Sequence, residues 1–557
     1  MKITAANKYL GMYVLLTSLL VSLFVAPFNS LDPVSLPKLC LLTVLSFIAA
    51  GFAFSEVEFF KTKRNRTILL FIGIFTTQLV LTLIMDEREF SYKFYGTFGR
   101  NTGFLAYLSL TFLLIASLVS ASKLLLKRYA ITIVGVGTLL ALYGIAQSKG
   151  YDFYQYDLGI GTNVFGTFGN ANFQSAFMGI TASASLTLAV FSRLKLHFKA
   201  GLFLLTLLAI YNISLSSQQG YLNFAIGASA ATTIYLLKSR KPILGWITLG
   251  SSVLAIFILL LGILNVGPLS DAIYKSSLLA RGFYWRAAVN MMLDHPFFGV
   301  GMDGYGDAYL RSGSESFYSS GFTPTSDTAH NIPLDIGSNG GFLLLFAYMA
   351  VIIFVLISIV RVMKRKIEFD VVFTTIVAAW IAYQAQSLIS INQLGLGVWG
   401  WSLSGLIIGY ELNTRPDEIE ANPKVVRKGK APMQKISALA VISTFIATGA
   451  GIAAALPPYL AANKFYVALQ SGDAEIIQPA AYLKPYDRAR FSYVAQILEV
   501  NKLESRAITV LRDATEIYPD SIELWRRWST IASAAPADVA RAKAEMKRLD
   551  PFNPDLK

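Results

Sequence analysis

Long apolar stretches separated by short polar gaps run from near the N-terminus to about residue 456. Most are roughly 18 residues or longer, which lets an α-helix cross about 30 Å of hydrocarbon. We expect spans near residues 9–28, 39–55, 67–85, 103–121, 129–147, 172–192, 200–215, 221–237, 243–264, 341–361, 371–391, 397–412 and 436–456. The pattern predicts an all-α, polytopic transmembrane helical bundle of about 12–13 spans. No cleavage pattern of the A-x-A kind follows the first run, so we interpret it as a retained span.

The distribution of charge predicts the orientation of the bundle. The chain is 54% hydrophobic and 15% charged, and its formal net charge is +14. Such a charge would suggest nucleic-acid binding in a soluble protein, but here Lys and Arg concentrate in every second gap. These basic groups are Lys61–Arg66, Lys123–Arg128, Arg193–Lys199, Lys238–Lys241, Arg361–Lys366 and Arg415–Lys435. With the N-terminus they hold about 25 basic residues against about 9 in the other gaps, which predicts cytoplasmic loops, a cytoplasmic N-terminus and no nucleic-acid partner.

The remaining gaps are then expected on the outer side. They are residues 29–38, 86–102, 148–171, a tight turn at Ser216–Gly220, the long loop 265–340 and a turn near Asn392–Gly397. We therefore expect a membrane-embedded domain over residues 1–412, a cytoplasmic basic linker at 413–435 and a last span at 436–456. Because the basic run before that span fits an inner loop, residues 457–557 are expected to be extracytoplasmic.

The segment after residue 457 has the composition of a soluble helical domain. Pro485, Pro519 and Pro554 recur about 34 residues apart, and Phe491 and Trp525 share that spacing. This resembles tetratricopeptide repeats, in which helix pairs bury their faces against neighbouring pairs. The alternative is a small helical domain whose proline spacing is accidental.

Two outer gaps contain similar glycine-rich sequences. Gly96-Thr97-Phe98-Gly99-Arg100-Asn101 echoes Gly166-Thr167-Phe168-Gly169-Asn170-Ala171. Glycines at these positions allow close approach to a ligand, although helix packing alone would also explain them.

The long outer loop contains a helical stretch followed by a glycine-rich one. Residues 278–293 fit a helix with Arg281, Trp285, Ala288 and Met292 on one face, and it stops at Asp294-His295-Pro296. The sequence 297–306 has too many glycines for a helix and is too apolar for an exposed loop, so we expect it to pack at the membrane surface. Ala329-His330-Asn331 then leads into the next span.

These elements together resemble the O-antigen ligase and polymerase superfamily over roughly residues 9–412. The motifs, in chain order, are Tyr95–Gly103, Arg281-x-x-x-Trp285-Arg286, Asp294-His295-Pro296-x-x-Gly299-x-Gly301 and His330-Asn331-x-x-Leu334-Asp335. The resemblance implies a membrane glycosyltransferase that moves a glycan from an undecaprenyl-diphosphate carrier to an acceptor. It also implies action at the outer face of a bacterial cytoplasmic membrane, with glycan donor, acceptor and membrane lipids as partners.

The outer arginines suit a diphosphate leaving group. Guanidinium groups can fork onto phosphate oxygens and stabilise negative charge that develops there. Arg100, Arg281 and Arg286 are the candidates. Each could instead extend to lipid headgroups or pair with a carboxylate.

His330 is the candidate general base. Imidazole has a reference pKa near 6.5, suited to accepting the proton of an attacking hydroxyl, and the resemblance assigns that role to the matching histidine. Asp335 could orient His330, bind the acceptor or merely cap the next span. Further substrate-binding candidates are Asn101, Trp285, Asn331, Asp335 and Gln218. Gln218 stands where ligases of this family usually have an arginine, which weakens the assignment to a lipopolysaccharide ligase.

We expect no cofactor and no obligate metal. The nearest approach to an outer metal site is Asp86, Glu87 and Glu89 beside Arg88, and we interpret these carboxylates as a solvated acidic cluster. We expect the transfer to be independent of metal. We also expect it to invert the anomeric configuration.

Other functions stay open at this point. A transporter or flippase of lipid-linked glycans would need ionisable groups inside its spans, where Gln78, Gln384 and Gln386 are the most polar residues. The C-terminal helical domain could recruit an envelope protein partner. Within the enzyme hypothesis, polymerase, ligase and protein O-oligosaccharyltransferase share a donor and differ in acceptor, which the motifs do not identify.

Overall fold

A computed structural model describes residues 5–26, 31–152, 164–263, 266, 276–315, 318, 325–365, 368–415 and 437–556. These residues form helices and the connections between them, and no β-strand occurs among them. The predicted basic linker 413–435 lies almost wholly outside the described residues, as do parts of the outer gaps 148–171 and 265–340.

The membrane part consists of long helices joined by short connections. They are α1 (Ala5–Leu23), α2 (Ser35–Phe54), α3 (Val57–Lys61), α4 (Arg66–Met85), α5 (Phe90–Tyr95), α6 (Phe104–Ser120), α7 (Lys123–Ser148), α8 (Ala171–Phe191), α9 (Leu196–Ser216), α10 (Gln219–Lys238), α11 (Pro242–Ile263), α12 (Ser276–Asp294), α13 (Tyr305–Ala308), α14 (Ile332–Arg365), α15 (Val371–Ser387), α16 (Leu394–Thr414) and α17 (Ala438–Gln470). A 3₁₀ turn covers Lys63–Asn65.

Each of the thirteen predicted spans coincides with one of these helices, and the expected all-α polytopic fold is confirmed. By length and composition, eight helices in the described residues can cross a membrane, and α1 and α6 provide shorter apolar stretches. Helix α16 is not among these apolar helices. It lies at the centre of the bundle and is buried continuously from Leu394 to Leu412. A helix surrounded by protein can carry glycines and hydroxyls that lipid contact would disfavour.

The basic loops meet at one end of the bundle. The Lys238 ammonium donates to the Met363 carbonyl, and Arg365 and Arg415 both pair with the carboxylate of Glu411. The loops expected on the outer side contact one another at the opposite end, as described below. The two groups of loops are therefore segregated in space as the charge pattern predicts.

Helix α17 runs antiparallel to α2. Thr444 of α17 packs against Gly51 near the end of α2, and the Ala455 carbonyl accepts a hydrogen bond of 3.1 Å from Cys40 near its start. Helix α17 thus ends at the same face of the bundle as the start of α2. It also continues through Pro457 and Pro458 to Gln470, so the last span enters the C-terminal domain without a break.

The C-terminal domain is built from short amphipathic helices. They are α18 (Ala474–Ala480), α19 (Arg488–Val500), α20 (Glu504–Ile517), α21 (Ile522–Thr530) and α22 (Pro536–Leu549), followed by a 3₁₀ turn at Pro554–Leu556. Helices α19 and α20 pack as one pair and α21 and α22 as another. Phe491 and Trp525, the two aromatic residues that share the proline spacing, are buried in the common core. The likeness to tetratricopeptide repeats stays a prediction.

Candidate functional site

The glycine-rich turn after α12 packs into a kink of α14. Gly341 lies in the left-handed region with φ of 77°, and a Cβ there would come within 2.6 Å of the Phe297 carbonyl. Across the junction the Val300 amide donates to the Ser338 carbonyl at 2.8 Å, and the Phe342 amide donates to the Pro296 carbonyl at 2.9 Å. The predicted packing of the apolar glycine turn is therefore an interlock of two backbones, which fixes the position of the kink within α14.

Gln78 of α4 supports the same junction from within the membrane. Its side-chain amide donates to the Phe297 carbonyl and, at 3.2 Å, to the Gly340 carbonyl, which the kink frees from its helical partner. This polar side chain inside a span therefore satisfies backbone groups that lipid could not.

Asp303 joins the long loop to the earlier outer loop. Its carboxylate accepts hydrogen bonds from the Thr97 amide at 2.6 Å and from the Thr102 hydroxyl at 3.1 Å. Burial raises the pKa of Asp303 above its ordinary 3.8, while the Thr97 hydrogen bond and the charge of Arg100 oppose that shift. The contact holds the Gly96–Thr102 turn against the long loop.

Arg100 pairs with Asp327, three residues before His330. Two nitrogens of the guanidinium donate to the two carboxylate oxygens, a forked geometry that fixes the plane of the arginine. Its third nitrogen, Nη1, is buried and has no hydrogen-bond partner within the described residues. The pair therefore presents a positively charged, incompletely bonded group beside the histidine.

His330 occupies a strained turn with φ of 50°. Its ring lies 5.1 Å from the ring of Tyr284 on α12, and Nδ1 lies 3.3 Å from the Thr328 carbonyl oxygen. An N–H at Nδ1 can donate to that carbonyl, which leaves the lone pair on Nε2. Burial lowers the pKa of His330 below its ordinary 6.5, and the charge of Arg100 lowers it further. The imidazole is therefore neutral at pH 7 and able to accept a proton.

Arg281 and Trp285 lie on α12 beside this histidine. Arg281 is half-buried next to Tyr284, its Nε has no hydrogen-bond partner, and no ion pair of Arg281 occurs among the described residues. Burial disfavours the charged form of Arg281 and so lowers its pKa, and a negatively charged group beside it would favour that charged form. The indole N–H of Trp285 is buried and likewise has no hydrogen-bond partner in the part of the chain that the structure describes. Both side chains have unused hydrogen-bonding capacity.

Arg286 is not brought into this cluster. It is exposed and lines a shallow groove with Tyr309 and Tyr318. Five residues separate it from Arg281, which is about 140° around a helix, so the two guanidinium groups diverge. The expected convergence of three arginines becomes a convergence of two, Arg100 and Arg281.

Asn331 and Asp335 make structural contacts beneath His330. Asn331 caps α14 by accepting from the Leu334 amide at 3.0 Å, and it donates to the Leu388 carbonyl at 3.0 Å. Asp335 is buried and accepts from the Ala329 amide at 3.2 Å. Asn331 rather than Asp335 therefore caps the helix, and Asp335 braces the backbone next to His330. A direct role of either in substrate binding stays a prediction.

Gln218 lies in a different neighbourhood. It is exposed at the start of α10, in a turn that is bonded to α8 through Ser217 and Asn172 at 2.6 Å and through Gly220 and Ser175 at 2.9 Å. In the described part of the chain this turn has no hydrogen bond to the loops that carry Arg100 and His330. Its predicted contact with substrate is untested.

The acidic residues of the first outer loop have structural partners. Asp86 pairs with Arg88 at 2.6 Å, and Arg88 donates to the Met302 carbonyl at 2.8 Å. Glu89 caps α5 by accepting from the Tyr92 amide at 2.9 Å. The solvated cluster expected from the sequence is thus, for Asp86 and Glu89, a set of loop braces. No group of three metal-ligating side chains occurs among the described residues.

The two echoed glycine turns flank the start of α2. The Ser35 hydroxyl donates to the Gly99 carbonyl at 2.7 Å, and Gly169 packs against Val34. Gly96, Gly99, Gly166 and Gly169 all have positive φ, a conformation that glycine adopts without strain. The second turn is therefore explained by helix packing, whereas the first also carries Arg100.

Sequence reasoning missed Asp327, Asp303 and Tyr284 as members of the site. Asp327 and Asp303 are single acidic residues in connecting segments, and Tyr284 lies on the predicted helix at an unspecified position of its quoted motif, so only the fold shows their partners. The one available signal was position, since Asp327 lies three residues before His330 and Asp303 lies between glycines.

The fold and site define a polytopic membrane protein with a polar centre at one mouth of its helical bundle. A family model described as O-antigen ligase matches residues 201–349, which include Arg281 and His330 but not Arg100. The match supports the predicted resemblance to the O-antigen ligase superfamily, a class of membrane glycosyltransferases, over this part of the chain. No curated protein matches the chain.

Proposed function

We propose that this protein transfers a glycan from an undecaprenyl-diphosphate carrier to an acceptor hydroxyl at the outer face of a bacterial cytoplasmic membrane. The observation that carries the proposal is the meeting of Arg100, Arg281 and His330 at one mouth of the bundle. The neutral imidazole experiences the charge of both guanidinium groups, and each of these has a nitrogen without a hydrogen-bond partner among the described residues. This combination suits a hydroxyl nucleophile and a diphosphate leaving group.

The chemistry follows from these roles. The acceptor oxygen attacks the anomeric carbon from the face opposite the diphosphate, and its proton passes to Nε2 of His330. The bond between the anomeric carbon and the diphosphate oxygen breaks, and undecaprenyl diphosphate leaves with its negative charge stabilised by Arg281 and Arg100. A single displacement of this kind inverts the anomeric configuration. Since guanidinium groups provide the positive charge, we propose that no metal is required.

Alanine substitutions test the site. We expect His330→Ala, Arg100→Ala and Arg281→Ala each to insert normally and to lose transfer, by about 10²- to 10⁴-fold for the base. His197→Ala is the matched control, because His197 is exposed in a basic loop at the other end of the bundle. Full activity of His330→Ala would contradict the assignment of the base.

The requirement for metal is tested separately. Transfer by the purified protein should persist in chelator. Loss of transfer in chelator with recovery in Mg²⁺ or Mn²⁺ would contradict a metal-independent mechanism.

The acceptor class is tested by the glycans of a deletion strain. Accumulation of single repeat units on the carrier would identify a polymerase, whereas full-length polymer left on the carrier would identify a ligase. Loss of glycan from one protein would identify a protein O-oligosaccharyltransferase. If the lipid-linked glycan remained at the inner face of the membrane, the protein would be a flippase instead. A flippase would use polar groups inside its spans to contact its substrate. Gln78 instead donates to backbone carbonyls of the long loop and of α14, which favours the enzyme.

A further inference from the structure

The C-terminal helices close over the first outer loop and leave a cleft between them. The cleft has a volume of about 410 Å³. One wall is the loop segment Ser91–Asn101, and the other is formed by residues at the start of α19 and on α21. We propose that this cleft binds a saccharide segment of the glycan substrate, so that the C-terminal domain forms part of the substrate site. This inference rests on the proposed function.

Both walls of the cleft contain polar side chains with unused hydrogen-bonding capacity. Asn101 is 6% exposed, Tyr518 is 6% exposed and Arg490 is 5% exposed. Each lines the cleft, and the Asn101 Oδ1 and the Tyr518 hydroxyl, both covered from water, have no hydrogen-bond partner among the described residues, whereas the Arg490 Nε lies 3.9 Å from a carboxylate oxygen of Asp487. Buried polar atoms without partners are costly unless a ligand or water completes them. An acceptor and a donor just behind the cleft wall match a ligand rich in hydroxyl groups, which a small movement of the lining side chains would admit to them.

Aromatic side chains line both walls of the cleft. Tyr92, Tyr95 and Phe98 come from the loop, and Tyr486 and Tyr493 come from the C-terminal domain. Tyrosine combines a flat apolar face with a polar tip, so such walls can pack on the C–H faces of a sugar ring while leaving its hydroxyls to polar groups.

The charged side chains that line the cleft include both signs. Arg488, Arg490 and Arg527 line the cleft together with Asp487 and Glu523. Arg488 is paired with Asp307, and Arg527 is paired with Glu499 at 3.2 Å. Compensated charges of this kind suit a neutral polyhydroxyl ligand, whereas a diphosphate or an anionic lipid favours a site that includes a guanidinium group without an ion pair, as Arg281 is among the described residues.

The position of the cleft connects it to the reaction centre. Arg100 and Asn101 are adjacent, yet Arg100 pairs with Asp327 beside His330, while Asn101, with φ of 55°, faces the cleft. A glycan whose reacting end lies near His330 could therefore extend across this turn into the cleft.

The experiment measures saccharide binding and transfer with the full-length protein in detergent. The probe is an oligosaccharide released by mild acid from the lipid-linked glycan pool of the producing strain. Tyr518→Phe removes only the unpartnered hydroxyl, and Gln496→Trp fills the cleft from an exposed position on α19. Tyr482→Phe removes a hydroxyl bonded to Asp513 outside the cleft, and Val500→Trp adds the same bulk at an exposed site on α19 outside it.

We expect the oligosaccharide to bind about threefold to tenfold more weakly to Tyr518→Phe, the effect of losing one hydrogen bond. Binding to Gln496→Trp should be lost, and both controls should bind like the unmodified protein. In transfer assays the two cleft variants should raise KM and leave kcat nearly unchanged, whereas His330→Ala should lower kcat and still bind the oligosaccharide.

Unchanged binding by Gln496→Trp, or no binding of the oligosaccharide to the unmodified protein, would overturn the cleft proposal. That result would leave the proposed function standing as long as His330→Ala abolished transfer. Conversely, saccharide binding with full transfer by His330→Ala would refute the assigned base and retain the cleft.

Discussion

At the scale of the residue, the ionisation of His330 is the property most directly tied to catalysis. Burial and the charge of Arg100 place its pKa below 6.5, so the imidazole is uncharged from neutral pH down into the mildly acidic range. Transfer should therefore stay constant as the pH falls from 8 to about 6.5 and decline only below the lowered pKa, where the base becomes protonated. A pH profile of kcat/KM checks this, and a decline that already begins above pH 7 would contradict it.

Removing the charge of Arg100 should move that profile. In Arg100→Gln the positive charge beside His330 is lost, so the pKa of His330 should rise towards 6.5. The acidic limb of whatever transfer remains should shift to higher pH. Arg66→Gln is the matched control, because Arg66 begins α4 in a basic loop. An unshifted limb in Arg100→Gln would show that the two side chains do not interact electrostatically.

The residues also show how far the sequence could predict the site. The ordered motifs indicated Arg100, Arg281 and His330, because each stands in a recognisable local pattern. The divergence of Arg286 follows from helix geometry, since a separation of five residues turns a side chain away from its neighbour. The partners Asp327 and Tyr284 come from separate segments, and only tertiary structure brings them to the histidine.

At the scale of the element, the hydrophobic pattern predicted where helices occur more reliably than where they end. Helix α17 continues 14 residues beyond the predicted end of its span at 456, through two prolines. Its later residues, such as Phe465, are apolar because they pack in the C-terminal core rather than in lipid. A window that measures hydropathy cannot distinguish these two environments.

The kink of α14 gives a test at this scale. Gly341→Ala should destabilise the protein by about 1–3 kcal/mol, because alanine at positive φ is strained and its Cβ would meet the Phe297 carbonyl. Thermal melting in detergent should show a lower midpoint together with reduced transfer. Gly449→Ala on α17 is the control, since a Cβ there meets nothing within 4 Å and alanine favours a helix. Equal midpoints for the two variants would contradict the interlock.

At the scale of the whole molecule, the C-terminal domain is held to the outer loops by specific polar contacts. Arg488 pairs with Asp307 and stacks on Tyr92, and Tyr318 donates to Asp550 at 2.5 Å. Arg311 adds a longer ion pair to Asp520 at 3.4 Å. These contacts make the domain part of the same mouth that holds His330.

Breaking the most buried of these contacts should loosen the domain. Arg488→Ala would leave the Asp307 carboxylate, 9% exposed, without its cation, which costs about 3 kcal/mol for a buried pair and less where water reaches the arginine. We expect faster proteolysis within residues 471–556 and weaker saccharide binding. Arg512→Ala is the matched control, because its pair with Asp538 at 3.7 Å is largely exposed. Identical digestion of the two variants would contradict docking through Arg488.

The sidedness of the assembled molecule can be tested by cysteine labelling, because the native chain has one cysteine. In a Cys40→Ser background, single cysteines would replace Tyr151 of an outer loop, Val500 of α19 and Leu196 of a basic loop, all strongly exposed. The antiparallel packing of α17 on α2 places Val500 at the same end as the loop of Arg100. A membrane-impermeant maleimide applied to intact spheroplasts should therefore label positions 151 and 500 and spare 196 until the membrane is opened. If position 500 were labelled only after the membrane is opened, as expected for position 196, the C-terminal domain would lie in the cytoplasm. It would then be separated from the chemistry proposed at His330.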